Sequence, residues 1–492
     1  MAGLVLGPMV RWASTSEATV WVETDAACEV EVRPAGAPAA RGRTFAVEGH
    51  HYAIVRVGGL PEDAATPYEV ALDGAAVWPL PGSRFPPSAL RTHPAHGPVR
   101  INFGSCRLAY PHEPPWSLRP DEEDEGREVD ALRAIALRMA ATDPAGWPHT
   151  VLLLGDQVYA DEVSPDTLEF IRGRRDTREP PGETIADFEE YTRLYREAWS
   201  DPPIRWLLST VPSAMIFDDH DVIDDWNTSV DWVAAMRATD WWDRRIAGGF
   251  MAYVLYQHWG NLDPDALAEQ DIYRRVTAAE DGGEVLRSYA IRCDREVEGA
   301  RWSYCRDIGA TRVVMIDSRA GRILEPGGRS MVDTGEWEWI AEHARGGFDH
   351  LLIGTSLPLI LAPALHYLEA WNEAVCDGTW GRLAARASER LRQGADLEHW
   401  AAFRTSFEAM CSLLREVGAG RRGAAPASIV VLSGDVHHAY LAEVAFPRGS
   451  GVTSRVWQAT CSPFRNPLSA HERRGVRFGF SRAGLALGRA LA

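Results

Sequence analysis

The sequence predicts an α/β protein led by an all-β sandwich, and three observations carry that expectation. Alternating or β-branched runs fill residues 1–92. Six short, largely apolar runs, each too short for a helix, follow from residue 99 onward. Stretches with helical periodicity lie between them.

In chain order, Thr19-Val20-Trp21-Val22, Glu29 to Arg33, Tyr52 to Val57 and Pro67 to Leu72 are strand-like, and Asp, Gly and Pro clusters separate them. Residues 78–98 are rich in Pro, Gly and Ser and read as a linker. The apolar runs are Val99–Phe103, Val151–Leu154, Ala214–Phe217, Val313–Ile316, Leu351–Ile353 and Ile429–Leu432. Continuous apolar runs of this length mark strands buried on both faces. Helices are expected at Val129–Ala140 and Phe188–Trp199, in a helical insertion at 364–420, and at 471–492. The insertion is either packed helix or a lid over a site. Residues 99–470 thus form the main domain. At about 150 residues per domain, the length of 492 suits this division.

Hydrophobic residues make up 46 % and charged residues 24 %, which excludes a disordered chain. The net charge is −18, and every one of the 51 cationic side chains is Arg. Such an acidic chain does not suit a nucleic-acid backbone or an anionic membrane. No window approaches 18 apolar residues, so no membrane span is expected. The N-terminus lacks the features of a secretory signal, so a cytoplasmic location is expected. The seven cysteines are scattered and odd in number, which argues against a disulfide framework. Cys293 and Cys305 are expected to face each other on a β-hairpin.

Function is written where the runs end. Val99–Phe103 leads into Gly104-Ser105-Cys106, and Val151–Leu154 into Gly155-Asp156-Gln157-Val158-Tyr159-Ala160-Asp161. Ala214–Phe217 leads into Asp218-Asp219-His220-Asp221 and on to Asp224-Asp225-Trp226-Asn227. Ile429–Leu432 leads into Ser433-Gly434-Asp435-Val436-His437-His438. Loops at the carboxyl ends of parallel strands converge on one crevice. So many acids cannot gather ionised there without compensation, and a pair of cations provides it. Asp156, directly at a strand end, is the candidate bridge between them. The donors sort by softness. Cys106, Tyr159 and His437 suit a transition metal, Fe³⁺ first. Asp435 and the Asp219/Asp225 group suit a divalent ion, Ca²⁺ first, with Mg²⁺ or Mn²⁺ as alternatives.

These motifs resemble the PhoD-like (alkaline phosphatase D) branch of the calcineurin-like metallophosphoesterases, and the resemblance spans nearly the whole chain. It implies an αββα sandwich behind an immunoglobulin- or fibronectin-like domain. It implies iron held by Cys106, Asp156, Tyr159 and His437. It also implies a calcium-like ion held by Asp156, Asp435 and one residue of 218–227. The implied activity is hydrolysis of phosphate mono- or diesters, with a small-molecule phosphoester as substrate. Two departures stand out: members often carry Asn where this chain has Asp225 or Asp224, and well-known members are exported by a twin-Arg signal absent here.

Among the remaining candidates, His220 is either a general acid that protonates the leaving oxygen or a hydrogen-bond partner behind the ligands. His438 is expected to point away from the site. Arg107 reads as a surface ion pair, with a bidentate phosphate contact as the alternative. Asn227, Arg319, Thr355, Ser356, Arg465 and Asn466 are possible pocket-lining residues. Trp226 and the Trp241-Trp242 pair could wall the alcohol side of an ester. Two rival readings are a metal-binding sensor with negligible turnover and a serine hydrolase using Ser105 or Ser356. No Gly-x-Ser-x-Gly pattern supports the latter.

Overall fold

The computed structural model describes residues 2–299 and 301–491. Nine strands between residues 4 and 91 form two antiparallel sheets. Leu4–Ala13, Ala18–Thr24, His50–Val57 and Phe45–Val47 lie side by side in the first. Ala40–Arg43, Glu29–Pro34, Ala65–Leu72 and Ala75–Trp78 form the second, with Ala89–Arg91 pairing on Ala65–Leu72. Alternate residues point inward: Val20, Val22, Val55 and Val57 meet Val30, Val32, Val70 and Leu72 in one apolar core.

The six apolar runs divide three and three. Ile101–Gly104, Thr150–Leu154 and Ser213–Ile216 form a parallel sheet. Thr311–Ile316, His350–Thr355, Ser428–Ser433 and Arg455–Thr460 form the parallel centre of a six-stranded sheet. Its edges are the antiparallel strands Tyr304–Ile308 and Tyr440–Val444. Leu152, Leu154, Ala214 and Ile216 of the small sheet pack on Val313, Met315 and Leu432 of the large one. The alternate residues Val151, Leu153 and Met215 turn outward to helices on one side. Val314, Ile316, Ile353 and Val431 turn to helices Thr334–His343 and Arg404–Gly418 on the other. The layers therefore run helices, sheet, sheet, helices. Both faces of every central strand are covered, which is why those segments lack polar alternation.

The sandwich and the layered body share a core, because Leu6, Met9, Trp21, Phe45 and Tyr52 cluster with the body's helices. Buried polar groups fix the join. Trp21 Nε1 donates to Leu255 O at 2.9 Å, Tyr256 donates to Glu23 Oε2 at 2.9 Å, and Arg11 donates to the Tyr256 and Gln257 carbonyls. Leu255, Tyr256 and Gln257 lie on a wider-turned segment, Tyr253–His258, that interrupts a helix and frees backbone carbonyls.

The insertion forms helices Pro363–Cys376, Arg382–Gly394 and Arg404–Gly418, and its loop 395–403 turns toward the strand ends. The C-terminal segment differs from the single helix expected, forming Ala470–Gly479 and Arg482–Leu491. The expected hairpin of Cys293 and Cys305 is also corrected. Cys293 lies on helix Gly283–Arg295 and Cys305 on strand Tyr304–Ile308, since the helical periodicity there outlasts the β-like residues between them. Among the described residues no helix is long and apolar enough to cross a membrane.

Candidate metal centre

All four motif-bearing loops leave the carboxyl ends of their strands, at Gly104, Leu154, Ile216 and Ser433. Sharp turns follow: Cys106, Asp156, Asp435 and His437 all have positive φ, between 48° and 65°. Such backbone is costly for non-glycine residues and concentrates at functional sites. Two glycines make the approach possible. A Cβ on Gly155 (φ +108°) would stand 2.5 Å from Asp218 Oδ2, and one on Gly434 would stand 2.2 Å from Ser105 Oγ.

Asp156 stands between two groups of donors. Its Oδ2 is 3.3 Å from Cys106 Sγ and 3.4 Å from Tyr159 Oη. Cys106 is fully buried, and Tyr159 nearly so. Its other oxygen, Oδ1, is buried without a hydrogen-bond partner. Asp156, Asp218, Asp219 and Asp435 also each present one carboxylate oxygen, and these oxygens lie within 4.8 Å of one another. Asp218 Oδ2 is likewise buried and unpartnered. Burial, and then the neighbouring Cys106 and Asp218, push the Asp156 carboxyl well above its usual range. Burial raises the Cys106 thiol to about 12, with Asp435 adding to it. Burial and Cys106 raise the Tyr159 phenol. A cluster whose members suppress each other's ionisation, with carboxylate oxygens facing nothing, is what a cation would relieve. The donor set therefore fits metal binding.

The loop at 218–227 is the part the motifs resolved least. The four-acid set contains Asp218 and Asp219 but neither Asp225 nor His437. Asp225 follows Asp219, its N–H donating to Asp219 Oδ2 at 3.0 Å, and its Oδ1 is buried without a partner. His437 sits in the loop after Asp435, where burial lowers it to about 4, in the neutral form a ligand requires. His438 Nδ1 lies 2.6 Å from Val436 O, and its ring stacks on Tyr440.

His220 has a fixed orientation. Its Nδ1 lies 2.9 Å from Asp161 Oδ2, and its ring lies 4.4 Å from that of Tyr159. Nε2 is 3.7 Å from Asp224 Oδ1, too far for a direct bond. Burial opposes protonation of His220, but Asp161 outweighs it and raises the imidazole well above its ordinary value.

Several candidates do other work. Arg107 is buried rather than on the surface: Nε donates to Asp130 Oδ2 at 2.8 Å and Nη1 to Ala198 O at 2.6 Å. Asn227 Nδ2 donates to Arg319 O at 2.8 Å. Arg465 is spent on backbone carbonyls of residues 110, 111, 116 and 128. Trp226 and Trp242 are buried in the core, and both also line a cavity shared with Asn227, Val230 and Arg237. Thr355 Oγ1 donates to Ser318 Oγ, whereas the half-buried Asn466 does reach the site, as a side-chain hydrogen-bond partner of Tyr159. Ser356 donates to Asp218 Oδ1 at 2.9 Å, and Ser105 Oγ accepts from the Asp435 N–H at 3.0 Å, so both serines support acids rather than attack a substrate.

Sequence reasoning missed three residues at this site. Asp161 stood inside a quoted motif without a role. Glu398 and His399 come from the insertion, where no motif flags them. His399 Nε2 lies 3.1 Å from Asp435 Oδ2, and Glu398 pairs with Arg319.

Comparison with known proteins bears on this site. Residues 133–280 match the PhoD-like phosphatase family model, and residues 1–90 match a domain of unknown function, DUF7800. The first match contains Asp156, Tyr159, Asp218, Asp219 and His220, but not Cys106 or Asp435. No curated protein matches the chain. Among solved structures, that of PhoD superposes with a TM-score of 0.58 at 13 % identity, covering 94 % of this chain and 77 % of PhoD. A purple acid phosphatase from yellow lupin (Lupinus luteus) seeds aligns at 11 % identity and a TM-score of 0.47, covering 93 % of this chain and 64 % of its own, which is too distant to carry an argument. Over residues 133–280 the chain matches the PhoD-like phosphatase family, which supports a phosphoric ester hydrolase, and its fold is similar to that of PhoD.

Proposed function

We propose that this protein hydrolyses phosphate mono- or diesters at a dinuclear metal centre. The observation that carries the reading is that Asp156 belongs to both groups: Cys106 and Tyr159 lie on its Oδ2, its Oδ1 is buried without a partner, and it shares a four-acid cluster with Asp218, Asp219 and Asp435. Cys106, Tyr159, Asp156 and His437 would hold the softer ion, Fe³⁺. Asp156, Asp218 or Asp219, Asp225 and Asp435 would hold the harder one, Ca²⁺ first. Such a pair supplies positive charge to the phosphoryl oxygens and acidifies a water.

The chain's own residues do the rest. Asp161 holds His220 through Nδ1 and leaves Nε2 to carry a proton to the leaving oxygen. The Asp161 carboxylate also accepts the Asp224 N–H at 2.7 Å, tying the acid's orientation to the acidic loop. The Tyr159 ring, packed against His220 with the planes tilted by 35°, limits rotation of the imidazole. The N-terminal sandwich is read as immunoglobulin-like. The seven cysteines, all free, fit a reducing, cytoplasmic compartment.

The test is elemental analysis beside hydrolysis of para-nitrophenyl phosphate and its bis-ester. Bound metal with turnover supports the reading. Bound metal without turnover on any ester favours the sensor alternative. Full activity in Cys106→Ala after strict metal removal would overturn it.

A further inference from the structure

Arg319 is fully buried, and its guanidinium is surrounded by acids. Nε donates to Asp218 Oδ1, Nη1 to Glu398 Oε1, and Nη2 lies 3.0 Å from Asp219 Oδ1 and 3.1 Å from Asp435 Oδ1. Three of its four partners belong to the four-acid set of the candidate metal centre. The fourth, Glu398, arrives from the insertion and is held in turn by Arg322, with Nη1 2.9 Å from Glu398 Oε2. The loop is braced from below, since Asp317 Oδ1 accepts the N–H groups of Arg319 and Ala320 at 2.9 and 3.0 Å.

The carboxylates are used from two sides. Asp218 gives Oδ1 to Arg319 and keeps Oδ2 unpartnered, while Asp156 Oδ1 is also unpartnered and does not touch Arg319. Asp156 and Asp218 thus keep an oxygen free for a cation, while Asp435 gives one oxygen to Arg319 and the other to His399. Without the guanidinium, Asp218, Asp219, Asp435 and Glu398 would face the emptied place with only Arg322, on Glu398, and His399, on Asp435, left as their ion-pair partners. Four such carboxylates are the ligand type and number that a hard divalent ion takes.

We propose that Arg319 is a built-in cation of the acidic cluster: a positioning residue that occupies what would otherwise be an additional divalent-ion site, and so fixes how many metal ions the centre binds. A guanidinium suits this place. It stays charged when buried and presents several donors in fixed directions. Unlike an ion, it cannot dissociate or be exchanged. The insertion is part of the device, because Glu398 closes the ring around Arg319 and His399 takes the second oxygen of Asp435.

The proposal rests on the metal-centre reading, and the experiment separates the two. Parent protein, Arg319→Ala, Arg319→Lys and Glu398→Gln are equilibrated with about 1 mM Ca²⁺, passed through a desalting column, and analysed for metal content and melting temperature. The expected result is one more equivalent of Ca²⁺ in Arg319→Ala than in the parent, with a Ca²⁺-dependent rise in melting temperature absent from the parent. Arg319→Lys and Glu398→Gln should keep the parent's count, the first because a cation still fills the place. An Arg319→Ala protein that folds only when Ca²⁺ is supplied supports the proposal equally. The same or a lower count in Arg319→Ala, failure of that variant to fold with or without Ca²⁺, or loss of an equivalent in Glu398→Gln overturns it. A parent that binds no metal at all overturns the metal-centre reading instead.

Discussion

If His220 is the general acid, replacing Asp161 with Asn should separate esters by their leaving group. The carboxylate of Asp161 lies 2.9 Å from His220 Nδ1. A hydrogen bond to a charged group contributes roughly 1.5–3 kcal/mol. Asn keeps an acceptor near Nδ1 but removes the charge, so about half of that is lost, ~0.8–1.5 kcal/mol. At 1.36 kcal/mol per decade this is about a four- to twelvefold fall in rate. The fall should appear with an alkyl phosphate, whose alkoxide needs a proton to leave. It should be much smaller with para-nitrophenyl phosphate, whose phenolate leaves without one. His220→Ala removes the acid altogether and should cost the alkyl ester about 10²–10⁴-fold, again with a far smaller loss on the aryl ester. Steady-state kcat for both esters, with metal content checked in each variant, decides the matter. Equal losses on the two esters would refute the reasoning, because a disturbed loop or a lost metal slows both alike.

Other outcomes follow from the same geometry. Cys106→Ala should retain its fold, lose the softer metal and abolish most ester hydrolysis, as read by elemental analysis and turnover. Gly155→Ala should cost about 1–3 kcal/mol from its left-handed backbone. Because the new methyl group strikes Asp218, activity should fall further than thermal stability alone explains. Burial lowers the pKa of His50, but Glu23 and Glu189 outweigh it and raise the imidazole from 6.5 to about 9. The pairing is therefore fully present below the unfolded value and lost as pH rises through about 9. After discounting for partial exposure it contributes about 1 kcal/mol. His50→Gln should then lower the melting temperature near neutral pH, and the gap should close above the folded value. A gap that persists there would refute the pairing.

The strand ends and their donors were legible because each is a local event: an apolar run stops, a glycine turns the chain, and a ligand-type side chain follows. Cys106, Asp156, Tyr159 and Asp435 could be named from that pattern alone. The N-terminal sandwich also follows from local strand patterns, whereas the stack of two sheets was implied only by the family resemblance. The expected hairpin of Cys293 and Cys305 failed because it treated residues close in sequence as a strand pair when helical packing governed the first of them. Arg107 was misplaced because a charged side chain beside a motif gives no hint that Asp130, from a different element, will bury it.

The charge balance of the cluster lies beyond the reach of local patterns. A sequence shows how many acids gather at the strand ends, and elementary electrostatics then demands cations. Whether those cations are ions or side chains depends on Arg319, Glu398 and His399, brought from loops distant in the chain. Short-range preferences along the polypeptide thus chose the elements and the donor types. Packing of remote segments decided which acid oxygens stay free, because Coulomb energy depends on separation in space and not on separation along the chain.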